Sequence, residues 1–172
     1  MSSFKRFKGD LIITYDAHAS VKLKDDYWLL LTSFIYYIGK NNSDRYVVVP
    51  KWFLSDGASV PWIARILIPK MGRHSQAAFL HDWLCENYYI LEETDGIVKP
   101  VKVSRKEIDR IFCEALDVLN VAKWRILLIK ISLFLYRIYK NPTKPYIIKP
   151  KAELQKRYQE EEKCVFSFEC KE

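Results

Sequence analysis

The hydrophobic pattern changes about one third of the way along the chain, and few folds accommodate both parts of it. Up to residue 52 the apolar residues are mostly β-branched and aromatic, in runs typical of strands at 10–15, 20–24, 27–39 and 44–52. From residue 75 onward they recur with a helical period. The sequence therefore predicts an α+β protein, with an N-terminal antiparallel meander of three or four strands packed against three or four C-terminal helices.

Several helix boundaries are visible in the sequence. A helix is predicted over 75–88, and a second begins at Ser104, whose hydroxyl can accept from the amide of Glu107 in a capping box. An apolar stripe then runs to Leu119. A third helix over 122–140 is stopped by Asn141 and Pro142. Residues 90–103 are predicted to form a loop or small hairpin that turns on Asp95-Gly96. A charged helix is predicted over 151–163, and a last strand or a docking tail over 164–170.

The length of 172 residues suits one sizeable core. We expect a single α+β domain over 1–140, followed at 141–172 by a Pro-rich connector and a charged helical extension. The most apolar run, 124–139, is short for a bilayer span and carries Arg125, Lys130 and Arg137, so no transmembrane segment is expected. It is predicted to be a buried core helix, with a surface-lying amphipathic helix as the alternative.

The net charge of +7 permits contact with nucleic acid, an anionic membrane or an anionic cell-wall polymer. The lysines are spread along the chain, however, and no specific nucleic-acid motif is present. The four cysteines form no Cys-x-x-Cys pair, which favours reduced thiols, although a bridge between Cys164 and Cys170 stays open.

His81 and Asp82 form the sharpest candidate site. Neighbours on a helix point about 100° apart, so both side chains can border one cavity. There they could ligate one metal ion, or His81 could act as a general base. Alternatively, His81 packs and donates a hydrogen bond while Asp82 binds backbone amides. A carboxylate-rich site for a divalent metal would draw on Asp56, His81, Asp82 and Asp109.

Two further segments bear on this site. Arg105 precedes Asp109 by one helical turn, so an ion pair is the simplest role of that aspartate. In the stretch SDGAS, Asp56 and Ser59 are typical turn residues. Ser59 as a nucleophile would need His81 as its base, and its context is not a Gly-x-Ser-x-Gly elbow. A positioning role for Ser59 is therefore the preferred prediction.

Three motifs in order, VVVPKWFLSDGASVPW, AAFLHDWL and VSRKEIDRIFCEAL, resemble a family found mostly in bacteriophages and prophages, domain of unknown function 1353. The resemblance covers roughly residues 10–140. Its members typically read V-P-x-G-F-x-[ST]-D-x-A-S-x-P, then A-A-x-x-H-D-x-L-Y, then S-R-x-x-A-D-x-[IL]-F. The matching positions are Pro50, Phe53, Asp56, Ala58, Ser59, Pro61, His81, Asp82, Leu84, Arg105, Asp109 and Phe112.

This chain departs from the family pattern at three positions: Trp52 replaces Gly, Cys85 replaces Tyr and Ile108 replaces Ala. The resemblance implies a phage origin, and with it a place in the host cytoplasm or on the virion. It also implies that the polar motif residues recur together as one cluster. The resemblance does not imply a particular reaction.

Two functions follow as hypotheses. The first is a small hydrolase in which His81, Asp82, Asp56 and Ser59 are catalytic, with or without a metal, acting on phosphodiester or peptidoglycan-type bonds. An anionic substrate or cell-wall polymer would suit the basic surface. The second is a virion or host-interaction protein that binds other phage or host proteins. In this second case the aspartates, His81, Ser104 and Arg105 form a structural network.

Overall fold

The computed structural model describes residues 6–57, 72–145 and 148–169, and side chains up to residue 163. Its strands are β1 (Phe7–Lys8), β2 (Ile13–Tyr15), β3 (Trp28–Leu30), β4 (Phe34–Tyr37), β5 (Arg45–Val49), β6 (Leu54–Ser55), β7 (Tyr89–Thr94) and β8 (Ile97–Lys102). Its helices are α1 (Ala17–Leu23), α2 (Ser75–Asn87), α3 (Arg105–Val118), α4 (Lys123–Lys140) and α5 (Lys149–Glu169). The predicted α+β class is confirmed.

The strands form two antiparallel sheets. The larger has the order β1-β4-β5-β7-β8 and the smaller the order β2-β3-β6. The predicted strand 27–39 is therefore two strands, β3 and β4, which belong to different sheets. Close to this break, Gly9 has φ +95, and a Cβ there would lie 3.1 Å from the carbonyl oxygen of Ser33. Glycine is needed at this point because both the conformation and the close approach exclude a side chain.

Two other strand predictions are wrong. Residues 20–24 alternate like a strand but lie in and just after α1, because the side chain of Asp16 accepts from the amide of Ala19 (2.8 Å) and caps a helix. For the last segment, 164–170, the sequence predicts a strand or a docking tail, and the strand is wrong, since α5 continues to Glu169. The hairpin is confirmed: Asp95 and Gly96 both have positive φ, as a tight two-residue turn requires.

The main core lies between the larger sheet and helices α2, α3 and α4. Helix α2 is buried on nearly every side, whereas α3 buries the predicted apolar stripe, including Ile108, Ile111 and Phe112. A second cluster joins α1, the smaller sheet and α5 through Tyr27, Leu29, Leu54 and Leu154. Within the described ranges no helix combines the length and apolarity that a membrane crossing requires.

Helix α4 is a core helix on one side only. Its inner face, formed by Ile126, Ile129 and Leu133, packs toward α3 and is buried. Large apolar side chains on the opposite side are exposed. The prediction of a buried core helix at 124–139 therefore holds for half of its circumference.

Candidate functional site

His81 lies at the contact between α2 and α3. Its ring stacks on Phe112 with centroids 4.4 Å apart and planes inclined by 23°. Its Nε2 lies 3.2 Å from Oδ1 of Asp109, and the residue is only 2% exposed. The helical period explains this arrangement, because Asp109 and Phe112 are three residues apart and face α2 from neighbouring turns of α3.

Asp109 also accepts hydrogen bonds from two arginines. Arg105 Nε donates to Oδ1 from one turn earlier on α3 (3.1 Å), and Arg137 donates to Oδ2 from α4 (2.8 Å). Asp109 is 4% exposed. We call His81, Arg105, Asp109 and Arg137 the Asp109 network. It joins three helices through one carboxylate, whose two oxygens are both engaged.

The protonation states in this network follow from burial and charge. Burial lowers the pKa of His81, and the hydrogen bond to Asp109 opposes this only in part. Burial by itself would raise the pKa of Asp109, but the hydrogen bonds from His81 and Arg105 and the charge of Arg105 bring it below its ordinary value. A neutral His81 therefore faces an ionised Asp109, and the proton on Nε2 is the one donated.

Cys85 lies one turn beyond His81 on α2, with its Sγ 3.6 Å from Nε2 of His81. Burial raises the pKa of this thiol far above its ordinary value. The thiol and Asp109 both face the same ring nitrogen of His81. A nucleophile–base–acid relay needs them on opposite nitrogens, so this geometry favours packing over catalysis.

One partner of Asp82 among the described residues lies on the smaller sheet. The hydroxyl of Ser55, at the end of β6, donates to Oδ2 of Asp82 and accepts from the amide of Gly57 (3.0 Å). Asp82 and Ser55 are both buried. This pair ties α2 to β6, so the two residues of the His-Asp pair point to different elements, as splayed helical neighbours must.

Asp56 lies close enough to Tyr27 and His81 for its charge to act on the pKa of each. Its negative charge adds to burial in raising the pKa of Tyr27 to about 12, and it also acts on His81 in the raising direction. Ser59 lies outside the described residues, as do Ala58 and Pro61. Ser104 caps α3, accepting from the amide of Glu107 (3.2 Å), and so it orients Arg105 and Asp109 through the helix.

Arg137 is a site residue that sequence reasoning missed. A signal was available, because Arg137 continues the inner-face spacing set by Ile126, Ile129 and Leu133. A charged residue at such a position is costly unless a buried partner meets it. The partner, Asp109, lies 28 residues away in the chain, and sequence alone does not reveal it.

The C-terminal helix α5 makes its own polar contacts with the body of the protein. Lys151 is buried and pairs with Glu86 on α2. Tyr158 donates to Asp16, and Glu162 accepts from both Lys51 and Trp52. Each pair spans more than 60 residues of sequence, so no local pattern announces it.

Trp52 explains one departure from the family pattern. Its φ is +68, in the left-handed region that Gly, the usual residue of the family, adopts freely and a bulky side chain adopts only with strain. In this chain the indole packs beside Tyr158 and its Nε1–H donates to Glu162, both on α5. These contacts offset the strain of the left-handed backbone.

A metal site was predicted from Asp56, His81, Asp82 and Asp109. In the described part of the chain, no three His, Cys, Asp or Glu side chains are grouped so that they could hold a metal ion. At Asp109 a cation would have to displace an arginine or the ring of His81 from a carboxylate that is already neutralised. Asp109 as placed here therefore does not fit a metal ligand.

Among known proteins, the chain matches one family. A family model described as "Protein of unknown function (DUF1353)" matches residues 28–131, which include β3 through the first half of α4 and therefore His81, Asp82, Arg105 and Asp109. No curated protein and no solved structure matches the chain.

Proposed function

We propose a non-enzymatic binding function for this chain, which belongs to the DUF1353 family of proteins of unknown function. In this proposal the protein is encoded by a phage. It is either a component of the virion or a host-interaction protein in the host cytoplasm. The Asp109 network fastens α2, α3 and α4 to one another. The surface that meets the partner is the outer side of α4.

One observation supports the proposal most directly: the polar groups of the Asp109 network are hydrogen-bonded to one another. His81 and Asp109 are at most 4% exposed, and both oxygens of Asp109 accept from described side chains. A general base must reach a proton on a substrate or on a bound water. A buried cluster whose polar groups are hydrogen-bonded to one another instead orients the elements that carry it.

A hydrolase is the second candidate, because one observation favours an anionic substrate. A pocket of about 520 Å³ beside the network is lined by Lys102, Arg105, Lys106 and Arg137, with no Asp or Glu among its described lining residues. An anion bound there would contact the two arginines of Asp109 directly. In this candidate Asp56, His81 and Asp82 poise a water for attack on the bound substrate, and Ser59 orients the substrate.

Hydrolysis assays separate the two candidates. Wild type, His81→Gln and the exposed control His18→Gln are incubated with purified peptidoglycan and with a nitrophenyl phosphodiester, each with and without Zn²⁺, Mn²⁺ or Mg²⁺. We expect no hydrolysis that depends on His81. Hydrolysis that His81→Gln abolishes and His18→Gln retains, at a temperature at which circular dichroism shows all three proteins folded, would overturn the binding proposal.

A further inference from the structure

The outer face of α4 has the sequence spacing of a docking surface. Its apolar side chains recur at alternating intervals of three and four residues and are between 47% and 66% exposed. We define this outer face as Trp124, Leu127, Ile131, Phe134 and Ile138. It lies on the side of α4 opposite the inner face. In a monomer, contiguous exposed apolar side chains of this size mark a surface that binds something.

The charge on α4 identifies the chemistry of the partner. The helix contains Lys123, Arg125, Lys130, Arg137 and Lys140 and no acidic residue. Lys123 and Arg137 pair with Asp117 and Asp109, whereas no ion pair of the other three exists among the described residues. Acidic groups on α3 also face α4, but they are already paired: Asp109 with Arg137, Glu114 with Arg6 and Asp117 with Lys123.

A second copy of the chain suits this face poorly. If the outer face formed a coiled-coil seam, Lys123, Lys130 and Arg137 would flank it on one side, at intervals of seven residues, and Leu128 and Leu135 on the other. No acidic residue on α4 could pair with those cations across a symmetric interface. Two helices that each carry Arg125, Lys130 and Lys140, with no ion pair of these three among the described residues, would instead repel one another.

We propose that the outer face of α4 docks on an anionic lipid surface, an inference that rests on the binding function proposed above and names its partner. Apolar Trp, Leu and Phe side chains would enter the boundary between headgroups and acyl chains, while Lys and Arg meet the anionic headgroups. Both ends of α4 carry exposed aromatic residues beside cations: Trp124 with Arg125 and Tyr139 with Lys140. Such residues favour the membrane interface.

Vesicle co-sedimentation tests the inference with full-length protein. We expect wild type to sediment with phosphatidylcholine vesicles that contain phosphatidylglycerol, to stay in solution with phosphatidylcholine alone, and to be released by salt. The double variant Leu127→Ala/Phe134→Ala should bind on the order of tenfold more weakly. Val21→Ala, which removes an exposed apolar side chain from α1, should bind like wild type.

Lys130→Gln tests the electrostatic part and should weaken binding by on the order of fivefold, whereas Lys40→Gln in an exposed turn should not. The lipid inference is overturned if wild type fails to bind anionic vesicles, or if the variant without Leu127 and Phe134 binds them as strongly as wild type does.

In that event, analytical ultracentrifugation of wild type and of the double variant tests whether the outer face joins two copies of the chain. A wild-type dimer that the double variant dissociates would make the outer face an interface between copies and keep the binding function. If wild type and the double variant are both monomers, the outer face no longer supports the proposed binding function either.

Discussion

The two sides of helix α4 each depart from the usual distribution of polar and apolar groups. Next to the apolar inner face, the guanidinium of Arg137 reaches the buried carboxylate of Asp109. The outer face presents Leu127 and Phe134 to solvent, each more than half exposed. Polarity alone would assign function to the inner side and packing to the outer side. Burial and pairing support the opposite assignment, because a satisfied charge has nothing left to bind and an exposed apolar stripe does.

The largest expected effect comes from breaking the inner side. Asp109→Asn leaves Arg105 and Arg137 facing a neutral amide, and we expect it to reduce the free energy of unfolding by about 3–5 kcal/mol. Asp117→Asn, on the same helix, removes an acid that pairs with Lys123 at the surface and should cost less than about 1 kcal/mol. Urea unfolding measures both values. Similar small losses would show that the Asp109 network does not fasten the helices.

A smaller effect should appear in the pH dependence of stability. Because burial lowers the pKa of His81 below its ordinary 6.5, the unfolded chain takes up a proton on this ring at a pH at which the folded protein does not. Wild type should therefore lose stability as the pH falls below about 6.5, by up to about 1.4 kcal/mol per pH unit. The lowered pKa of Asp109 acts in the same direction, but only in the range below about 3.8.

Urea unfolding of His81→Gln beside wild type isolates the contribution of this ring. The variant has no imidazole at position 81, so the difference in stability between the two proteins should shrink between pH 7 and pH 5. A difference that stays constant or widens over this range would mean that His81 is protonated in the folded protein. His81 would then be a charged partner of Asp109 rather than a neutral donor.

Sequence reasoning succeeded where a local pattern carried the information. The cap at Ser104, the stripe through Ile108 and Phe112 and the turn at Asp95-Gly96 all lie in the structure where the sequence predicts them. Each depends on residues within about two helical turns or one hairpin of each other. Helix α1 is not predicted, because a five-residue segment fits an alternating and a helical period equally well, and the cap at Asp16 precedes that segment by four residues.

The rest of the site depends on contacts that no local pattern encodes. Arg137 and Asp109 lie 28 residues apart, and Trp52 and Glu162 lie 110 residues apart. The motif HDWL indicated a polar cluster, but it did not reveal that His81 turns toward α3 while Asp82 turns toward β6. The apolar run of α4 likewise suggested burial, because sequence alone does not show which side of an apolar helix finds a partner.

The most direct test compares two leucines on the opposite sides of α4. Leu133→Ala removes a side chain from the inner face, where it is 2% exposed, and Leu127→Ala removes one from the outer face, where it is 58% exposed. We expect urea unfolding to give a loss of about 2–5 kcal/mol for Leu133→Ala and less than about 1 kcal/mol for Leu127→Ala. Equal losses would show that the outer face is part of the core, which would contradict the assignment of binding to that face.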